Sequence, residues 1–316
     1  MLYLLQCLRA KLKGGINLSL KKYFNAMKNE GYVVKPLEMY LLGLSATDSD
    51  RALNVNAPSS VGQCLRSRYY ARVEAERDPY SVDARTRRIF DNGTAVHERL
   101  QSYLKEAGIL LMDEVPIINH QYNIQGHTDG IIHISDSDEL GVLEIKSINS
   151  RGFSEIKSEK PEHKRQGLVY LYCLEQRRLE LQKKYPTEQD FIKSSVSRTL
   201  KYKRFYDYLQ DGRKYSREEK INHQVSLCKQ SDDLLYHCKT PITKVIFLYE
   251  NKDTQDLKEY CVVSTQPDSV RVMSDIINEF SVLNEAVQNK IVPPREGNSK
   301  SDNMCRWCSF KTECWN

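Results

Sequence analysis

Three charged residues in strand-like parts of the sequence have the types and spacing of a metal site. Asp129 ends the run Gly-His-Thr-Asp, and Glu144 and Lys146 belong to the run Glu-Ile-Lys. Alternate side chains of a β-strand point to the same face, so Glu144 and Lys146 project together, and Asp129 can join them if its strand is an antiparallel neighbour. Two carboxylates beside an ammonium group favour a hard divalent cation such as Mg²⁺. The lysine would place a positive charge beside an attacking water or a phosphate oxygen.

The surroundings of Glu144 make this pattern more informative than an isolated Glu-x-Lys triplet. Such a triplet occurs by chance in many charged proteins, where it marks an exposed strand edge. Here the run Val-Leu-Glu-Ile-Lys-Ser-Ile at 142–148 places both charges in an apolar strand. Charged groups in such surroundings are costly unless they are paired or bound to a metal. We therefore interpret Glu144 and Lys146 as functional residues.

The rest of the chain predicts the sheet and helices that would position these residues. Short apolar runs separated by turns predict a three-stranded meander followed later by two more strands, and longer periodic segments predict helices between them. This order of elements indicates a mixed α/β domain. The predicted strands are 109–118, 122–134, 140–148, 242–250 and 258–264, and the predicted helices are 83–107, 161–185 and 269–290, with a shorter one from about Val61 through Tyr70.

Length and composition set the expected domain organisation. The chain has 316 residues, enough for one large domain or two small ones at about 150 residues each. We expect a helical N-terminal extension and linker at 1–57 and a main domain at 58–316. Within the main domain we expect a helical insertion at 186–240 and a C-terminal tail at 291–316. The basic residues of the extension suit either the solvated face of a packing helix or an arm that touches DNA.

Charge and hydropathy exclude some classes of protein. Lys and Arg number 47 against 42 Asp and Glu, which leaves a net charge of +5 and permits a polyanionic partner. No apolar run approaches the roughly 20 residues of a membrane helix. Arg9 and Lys11 follow the apolar start of the chain, whereas the charges of a secretory signal precede its apolar segment. We expect a cytoplasmic protein without a membrane partner.

Four of the nine cysteines form a separate set. Cys305, Cys308 and Cys314 are spaced C-x2-C-x5-C near the end of the chain, and Cys64 stands alone far upstream, before the first strong helix. In a reducing compartment such a set indicates a metal site rather than a disulfide framework. Four thiolates can hold either zinc or an iron-sulfur cluster. The remaining cysteines are scattered and suit buried, inert thiols.

Several of these motifs occur in an order that resembles a known family. The chain resembles the RecB-like branch of the PD-(D/E)XK nuclease superfamily. With its four cysteines it is similar to the iron-sulfur sub-branch, which includes CRISPR-associated exonucleases, the nuclease domain of AddB and phage relatives. The resemblance covers roughly 58–175 and 241–316. The motifs that carry it are His97, Gly126 to Asp129, Glu144 to Lys146, Gln166 to Tyr170, Cys64 with Tyr69 and Tyr70, and the three C-terminal cysteines.

The resemblance implies a restriction-endonuclease-like core, with a mixed central sheet flanked by helices, and it implies a role for each motif. His97, Asp129, Glu144 and the backbone carbonyl of Ile145 would bind Mg²⁺ or Mn²⁺. Lys146 would orient water or stabilise the charge of the transition state. Gln166 and Tyr170 would face the active site or the DNA backbone, although Tyr170 also suits a core position. Cys64, Cys305, Cys308 and Cys314 would hold a structural 4Fe-4S cluster, with zinc as the alternative.

The function implied by the resemblance is metal-dependent DNA hydrolysis. We expect an exonuclease that acts on single-stranded DNA ends in replication, recombination or repair, and the phage relatives make a phage-encoded enzyme one form of this expectation. One alternative is a structure-selective endonuclease. Another is a scaffold that binds DNA or partner proteins in a recombination or CRISPR-adaptation complex. The intact Asp129, Glu144 and Lys146 argue against a purely binding role.

One basic and aromatic segment lies outside the resemblance. Residues 195–215 interleave Arg198, Lys201 and other basic side chains with several tyrosines. Basic side chains that follow phosphates and rings that stack on bases would hold a single strand without sequence preference. An amphipathic helix whose aromatic residues pack inward explains the segment equally well.

Overall fold

A computed structural model describes residues 32–45, 54–77, 83–134, 139–209, 217–306 and 308–316. The chain divides into two compact units, Met1–Ser49 with Ser81–Asp91 and Asp50–Tyr80 with Asn92–Asn316. In the first unit the described residues include the helix α1, Val34–Ser45. The basic residues near the N-terminus lie outside the described residues. The domain boundary expected at residue 57 stays a prediction.

The second unit is built on a mixed five-stranded sheet in the order β1-β2-β3-β4-β5. The first two hairpin connections make β1, β2 and β3 antiparallel, β3 and β4 are parallel, and β5 is antiparallel to β4. The five predicted strands are confirmed to within a few residues. The strands are β1 Leu110–Asn119, β2 Ile124–His133, β3 Leu140–Ile148, β4 Lys244–Asn251 and β5 Leu257–Val263.

Helices cover both faces of this sheet, which confirms the expected mixed α/β architecture. The described helices of the second unit comprise α2 Leu65–Arg72, the larger part of α3 (Ala84–Glu106), α4 Ser150–Glu155, α5 Pro161–Lys184, α6 Glu188–Lys193, α7 Ser195–Leu209, α8 Arg217–His237, α9 Pro267–Asn289, α10 Asn303–Arg306 and α11 Lys311–Trp315. The parallel pairing of β3 with β4 requires a crossover, and the segment from α4 to α8 supplies it. In the part of the chain that the structure describes, no helix is long and apolar enough to cross a membrane.

The alternation of β3 assigns its side chains to two separate cores. Val142 packs in a core with Leu168 and Val169 of α5, whereas Leu143 and Ile145 pack in a core with Leu100 of α3. Both faces of β3 are therefore covered, as expected for the central strand of a mixed sheet. With a period of two, Glu144 and Lys146 share the α5 face with Val142.

The helix expected near Val61 starts later than its sequence pattern predicts. Pro58–Ser60 forms a short 3-10 turn, and Gly62 has a φ of +96°, which no α-helix accommodates. The α-helix begins only at Leu65, and Cys64 is its N-cap residue. Cys64 therefore lies at the N-terminus of α2 rather than within the helix.

The segment 186–240, predicted to be a helical insertion, contains α6, α7 and α8. Its aromatic residues distinguish between the two interpretations of the segment 195–215. Tyr202 and Tyr206 of α7 are buried against Ile221 and Val225 of α8. These two rings pack inward, as the amphipathic alternative holds, and they are not free to stack on bases. Residues 210–215 of the segment lie outside the described residues.

Candidate active site

The position of Asp129 is fixed by contacts to both its neighbouring strand and α3. Since β2 and β3 are antiparallel, with Gly130 opposite Leu143, Asp129 lies beside the strand of Glu144. Its Oδ2 accepts a hydrogen bond from the Ile145 backbone N–H at 2.6 Å, and its Oδ1 lies 3.2 Å from His97 Nδ1. This arrangement holds the carboxylate in one orientation at the junction of sheet and helix.

Glu144 is a buried carboxylate with one oxygen unsatisfied. Only 2 % of the residue is exposed, and its Oε1 lies 2.5 Å from Lys146 Nζ. Its Oε2 is buried without a hydrogen-bond partner. Burial, reinforced by the negative charge of Asp129, raises the pKa of Glu144 above its ordinary value. Buried polar atoms normally have partners, so this unpaired carboxylate oxygen is an exception among buried groups.

His97 of α3 completes the group around Asp129. Burial lowers the pKa of His97, but the hydrogen bond and negative charge of Asp129 outweigh burial, so that the pKa is raised overall. An imidazole beside two carboxylates has the donor chemistry of a divalent metal site. In the described residues, however, no group of three or more His, Cys, Asp or Glu side chains is already arranged to hold a metal ion. Binding would therefore require the Lys146–Glu144 and His97–Asp129 contacts to rearrange.

Lys146 is held by a second contact from α5. Its Nζ donates to Gln166 Oε1 at 3.3 Å, and Gln166 Nε2 donates to the Tyr170 hydroxyl at 2.7 Å. Gln166 and Tyr170 lie one helical turn apart, as their spacing predicts. The ring of Tyr170 is only 4 % exposed and belongs to the core, and burial raises the pKa of its hydroxyl well above the ordinary value. The Tyr170 hydroxyl is therefore connected to Lys146 by two hydrogen bonds through the side chain of Gln166.

This chain of contacts leads to a prediction for the variant Tyr170→Phe. Loss of the hydroxyl removes the partner of Gln166 Nε2 and loosens the position of Lys146. We therefore expect the rate of the DNA cleavage that the resemblance implies to fall about three- to tenfold, from the loss of about one ordinary hydrogen bond. Single-turnover kinetics at saturating protein measure this rate. Tyr172→Phe on the same helix is the matched control and should cleave like the wild type. Equal rates for Tyr170→Phe and the wild type would remove the positioning role.

Two buried polar residues support the site but were not identified from the sequence. Gln101 lies one helical turn after His97 and donates from Nε2 to the Asp129 carbonyl at 2.9 Å. Thr128 donates from Oγ1 to the Leu143 carbonyl at 3.0 Å and so ties β2 to β3. The spacing of four residues from His97 was the available signal for Gln101. No pattern in the sequence marks Thr128, because its partner is a backbone carbonyl.

Glu114 of β1 has a strained backbone directly across from Asp129. The pairs Asp113–Gly130 and Val115–Thr128 flank it, and its φ is +47°, an uncommon value for a residue with a Cβ. Strain of this kind concentrates at functional sites. Glu114 is exposed to solvent.

The C-terminal cysteines lie against the helix that begins after Cys64. The Cys308 thiol donates to Ser67 Oγ at 3.6 Å, and Ser67 lies within the first turn of α2. Burial, followed by the negative charges of Asp302, Cys308 and Cys314, raises the pKa of Cys305. An added Cβ on Gly297 would lie 2.5 Å from Cys305 Sγ, so the preceding loop packs directly on this sulfur.

Comparisons with known proteins find similarity to solved structures alone. No protein-family model matches the chain, and no curated protein matches it. One similar solved structure is the crystal structure of SSO0001, which is 16% identical in sequence with a TM-score of 0.41. The aligned region covers 90% of this chain and 96% of the SSO0001 chain. Another is the crystal structure of LHK-Exo in complex with dAMP, which is 13% identical in sequence with a TM-score of 0.39. The aligned region covers 82% of this chain and 94% of the LHK-Exo chain.

Proposed function

We propose that this protein is a metal-dependent deoxyribonuclease that hydrolyses phosphodiester bonds, acting as an exonuclease on single-stranded DNA ends in the cytoplasm. The observation that carries the proposal is the buried Glu144 carboxylate, whose Oε2 has no hydrogen-bond partner, between Asp129 and Lys146. A structural ion pair would satisfy both oxygens of so deeply buried a group. A carboxylate that keeps one oxygen unpaired suits a site completed by a ligand.

The residues present have the donor chemistry of Mg²⁺ or Mn²⁺. Asp129, Glu144 and the carbonyl of Ile145 would supply oxygen ligands, and His97 would supply a nitrogen. A cation bound there supplies positive charge against the phosphate and makes a water molecule more acidic.

The protein's own side chains account for the other requirements of phosphodiester hydrolysis. Lys146 can turn from Glu144 to donate to a non-bridging phosphate oxygen, where it would stabilise the charge that develops during attack by water. Gln166 then limits the positions that Lys146 can adopt. His97 and Gln101 keep Asp129 in its orientation from the side of α3. Side chains held in this way would position the reacting groups before the chemical step.

We also propose that Cys64, Cys305, Cys308 and Cys314 hold a 4Fe-4S cluster of structural function. Support comes from the contact between Cys308 and Ser67, which places the tail at the start of α2. Four thiolates are the ordinary ligands of such a cluster. The protein partners expected for recombination or replication stay a prediction.

A comparison of linear and circular DNA tests the proposed function. With Mg²⁺ or Mn²⁺ we expect end-labelled linear single strands to shorten progressively, whereas covalently closed single-stranded circles persist. Excess EDTA should stop the reaction because the carboxylates alone cannot activate water sufficiently. Denaturing gels over a time course measure both substrates. Rapid loss of circles would favour the endonuclease, and intact linear DNA under all metal conditions would favour the scaffold.

A further inference from the structure

A cleft between the C-terminal half of α5 and α7 carries an excess of positive charge. It has a volume of about 500 Å³ and adjoins a smaller cavity of about 110 Å³, with which it shares Arg177, Glu180 and Lys201. Lys183, Lys184 and Arg198 also line it, so that the described lining holds five cationic side chains and one carboxylate. None of these residues belongs to the proposed catalytic site.

Arg198 is a buried cation of this cleft whose hydrogen-bonding capacity is only partly used. The residue is 8 % exposed, and its guanidinium lies 3.6 Å from the centre of the Phe191 ring. Its Nε and Nη1 are buried without hydrogen-bond partners. Its Nε lies 3.8 Å from Asp232 Oδ2, which is too long for a hydrogen bond. Stacking on the Phe191 ring fixes the plane of the guanidinium group.

The nearby carboxylate is already occupied by other donors. Arg177 donates to both oxygens of Asp232 at 2.9 Å, and the Tyr202 hydroxyl donates to Oδ1 at 2.9 Å. Glu180 lies 3.5 Å from Arg177 as well. Both carboxylates therefore lie closer to Arg177, and Arg198 keeps only the longer ion pair with Asp232 at 3.8 Å.

Lys201 shows the same excess of positive charge. Partial burial lowers the pKa of Lys201, the charges of Arg177 and Lys184 lower it further, and the charges of Glu180 and Asp232 only partly oppose this. A lysine whose nearest charges include two cations gains from an added anion. A buried guanidinium with two nitrogen atoms that lack hydrogen-bond partners and a lysine beside other cations are therefore both stabilised by an added anion.

We infer that this cleft binds a phosphate group, at a site separate from the proposed catalytic carboxylates. A phosphate offers up to four oxygen acceptors and as many as two negative charges, which matches several converging N–H donors better than a single carboxylate does. The phosphate belongs either to a nucleic-acid strand or to a free phosphate or mononucleotide. The inference goes beyond the proposed nuclease activity, because phosphate binding requires neither cleavage nor a metal.

Titration of inorganic phosphate into the full-length protein at low salt tests the site by isothermal titration calorimetry. We expect Arg198→Met to weaken binding about tenfold or more, since a charge-assisted hydrogen bond is lost. Lys201→Gln should weaken it severalfold. Because Arg198→Met also loses the contact with Phe191, Lys201→Gln, at an exposed position, is the variant that preserves the fold. Lys203→Gln, exposed on the same helix and outside the cleft, removes the same charge and should bind like the wild type.

A second measurement distinguishes the two sources of the phosphate. Fluorescence anisotropy of a labelled single-stranded oligonucleotide in EDTA reports strand binding without cleavage. If Lys201→Gln weakens the affinity for both inorganic phosphate and the oligonucleotide, the phosphate that binds the cleft belongs to a nucleic-acid strand. If it weakens only the affinity for inorganic phosphate, the ligand is a free phosphate or a mononucleotide. The inference is overturned if Arg198→Met and Lys201→Gln change neither affinity, or if Lys203→Gln weakens both as much as Lys201→Gln.

Discussion

Replacement of Glu144 by glutamine is expected to reduce Mg²⁺-dependent DNA cleavage on the order of 1,000-fold, the loss typical of removing a principal electrostatic group from an active site. The variant should remain folded. Burial of the Glu144 carboxylate is unfavourable, as its raised pKa shows, so a neutral amide of the same shape does not weaken the core. Circular dichroism and urea unfolding measure the fold, and single-turnover kinetics measure the rate.

Glu250 provides a matched control for this result. It is also a buried glutamate of the sheet, 1 % exposed, but both of its oxygens accept hydrogen bonds from Arg99 at 2.7 Å. Glu250→Gln should lower the free energy of unfolding by about 1–3 kcal/mol, because a satisfied charged pair is broken, and should still cleave DNA. The two variants should therefore separate stability from activity. Undiminished cleavage by Glu144→Gln would remove Glu144 from the active site.

The effect of metal binding on thermal stability provides a second test of the role of Glu144. Mn²⁺ or Mg²⁺ should raise the Tm of the wild type, because a ligand that binds only the folded state stabilises it. Glu144→Gln should lose most of this shift. Lys146→Ala should keep it, since the lysine is not a ligand, although its cleavage should fall as strongly as that of Glu144→Gln. An equal Tm shift in Glu144→Gln and the wild type would place the metal elsewhere.

The sheet could be predicted because its strands are marked by local patterns. β3 alternates apolar residues between two cores, and the charges at Glu144 and Lys146 interrupt only one face. By contrast, the parallel pairing of β3 with β4 joins segments separated by about 100 residues. No local pattern specifies a pairing across so long an insertion. The late start of α2 depends on the positive φ of Gly62, which the apolar pattern around Val61 hides.

The candidate site was predictable to the extent that its chemistry depends on rare residue types at regular spacing. Asp129, Glu144 and Lys146 are charges in apolar strands, so the sequence marks them. The burial of the Tyr170 ring depends on how closely α5 approaches the sheet, and that distance is set by side chains from other elements. The incomplete hydrogen bonding of Arg198 could not be predicted either, because only the folded structure shows that Asp232 hydrogen-bonds to Arg177 and lies farther from Arg198.

The proposed cluster leads to the other prediction of large effect. Anaerobically purified protein should be brown, with an absorption shoulder near about 400 nm and about four irons per chain, as thiolate-bound 4Fe-4S clusters show. Cluster binding would close a loop of roughly 240 residues between Cys64 and Cys305. By the logarithmic law of loop closure, this removes on the order of 5 kcal/mol of chain entropy from the unfolded state. The free energy of unfolding should fall by a comparable amount when the iron is removed.

Single cysteine variants test which thiols take part. Cys64→Ala should lose iron to the same extent as Cys308→Ala despite their separation in sequence, because the N-cap of α2 and the tail meet near Ser67. Cys173→Ala is the matched control, since Cys173 is buried in the main core, and it should retain both colour and iron. Iron analysis and the visible spectrum measure the outcome. A colourless protein with one zinc per chain would show that the cysteines bind zinc instead of a cluster, and the nuclease proposal would not be affected. Full iron content in Cys64→Ala would show that another upstream residue is the ligand.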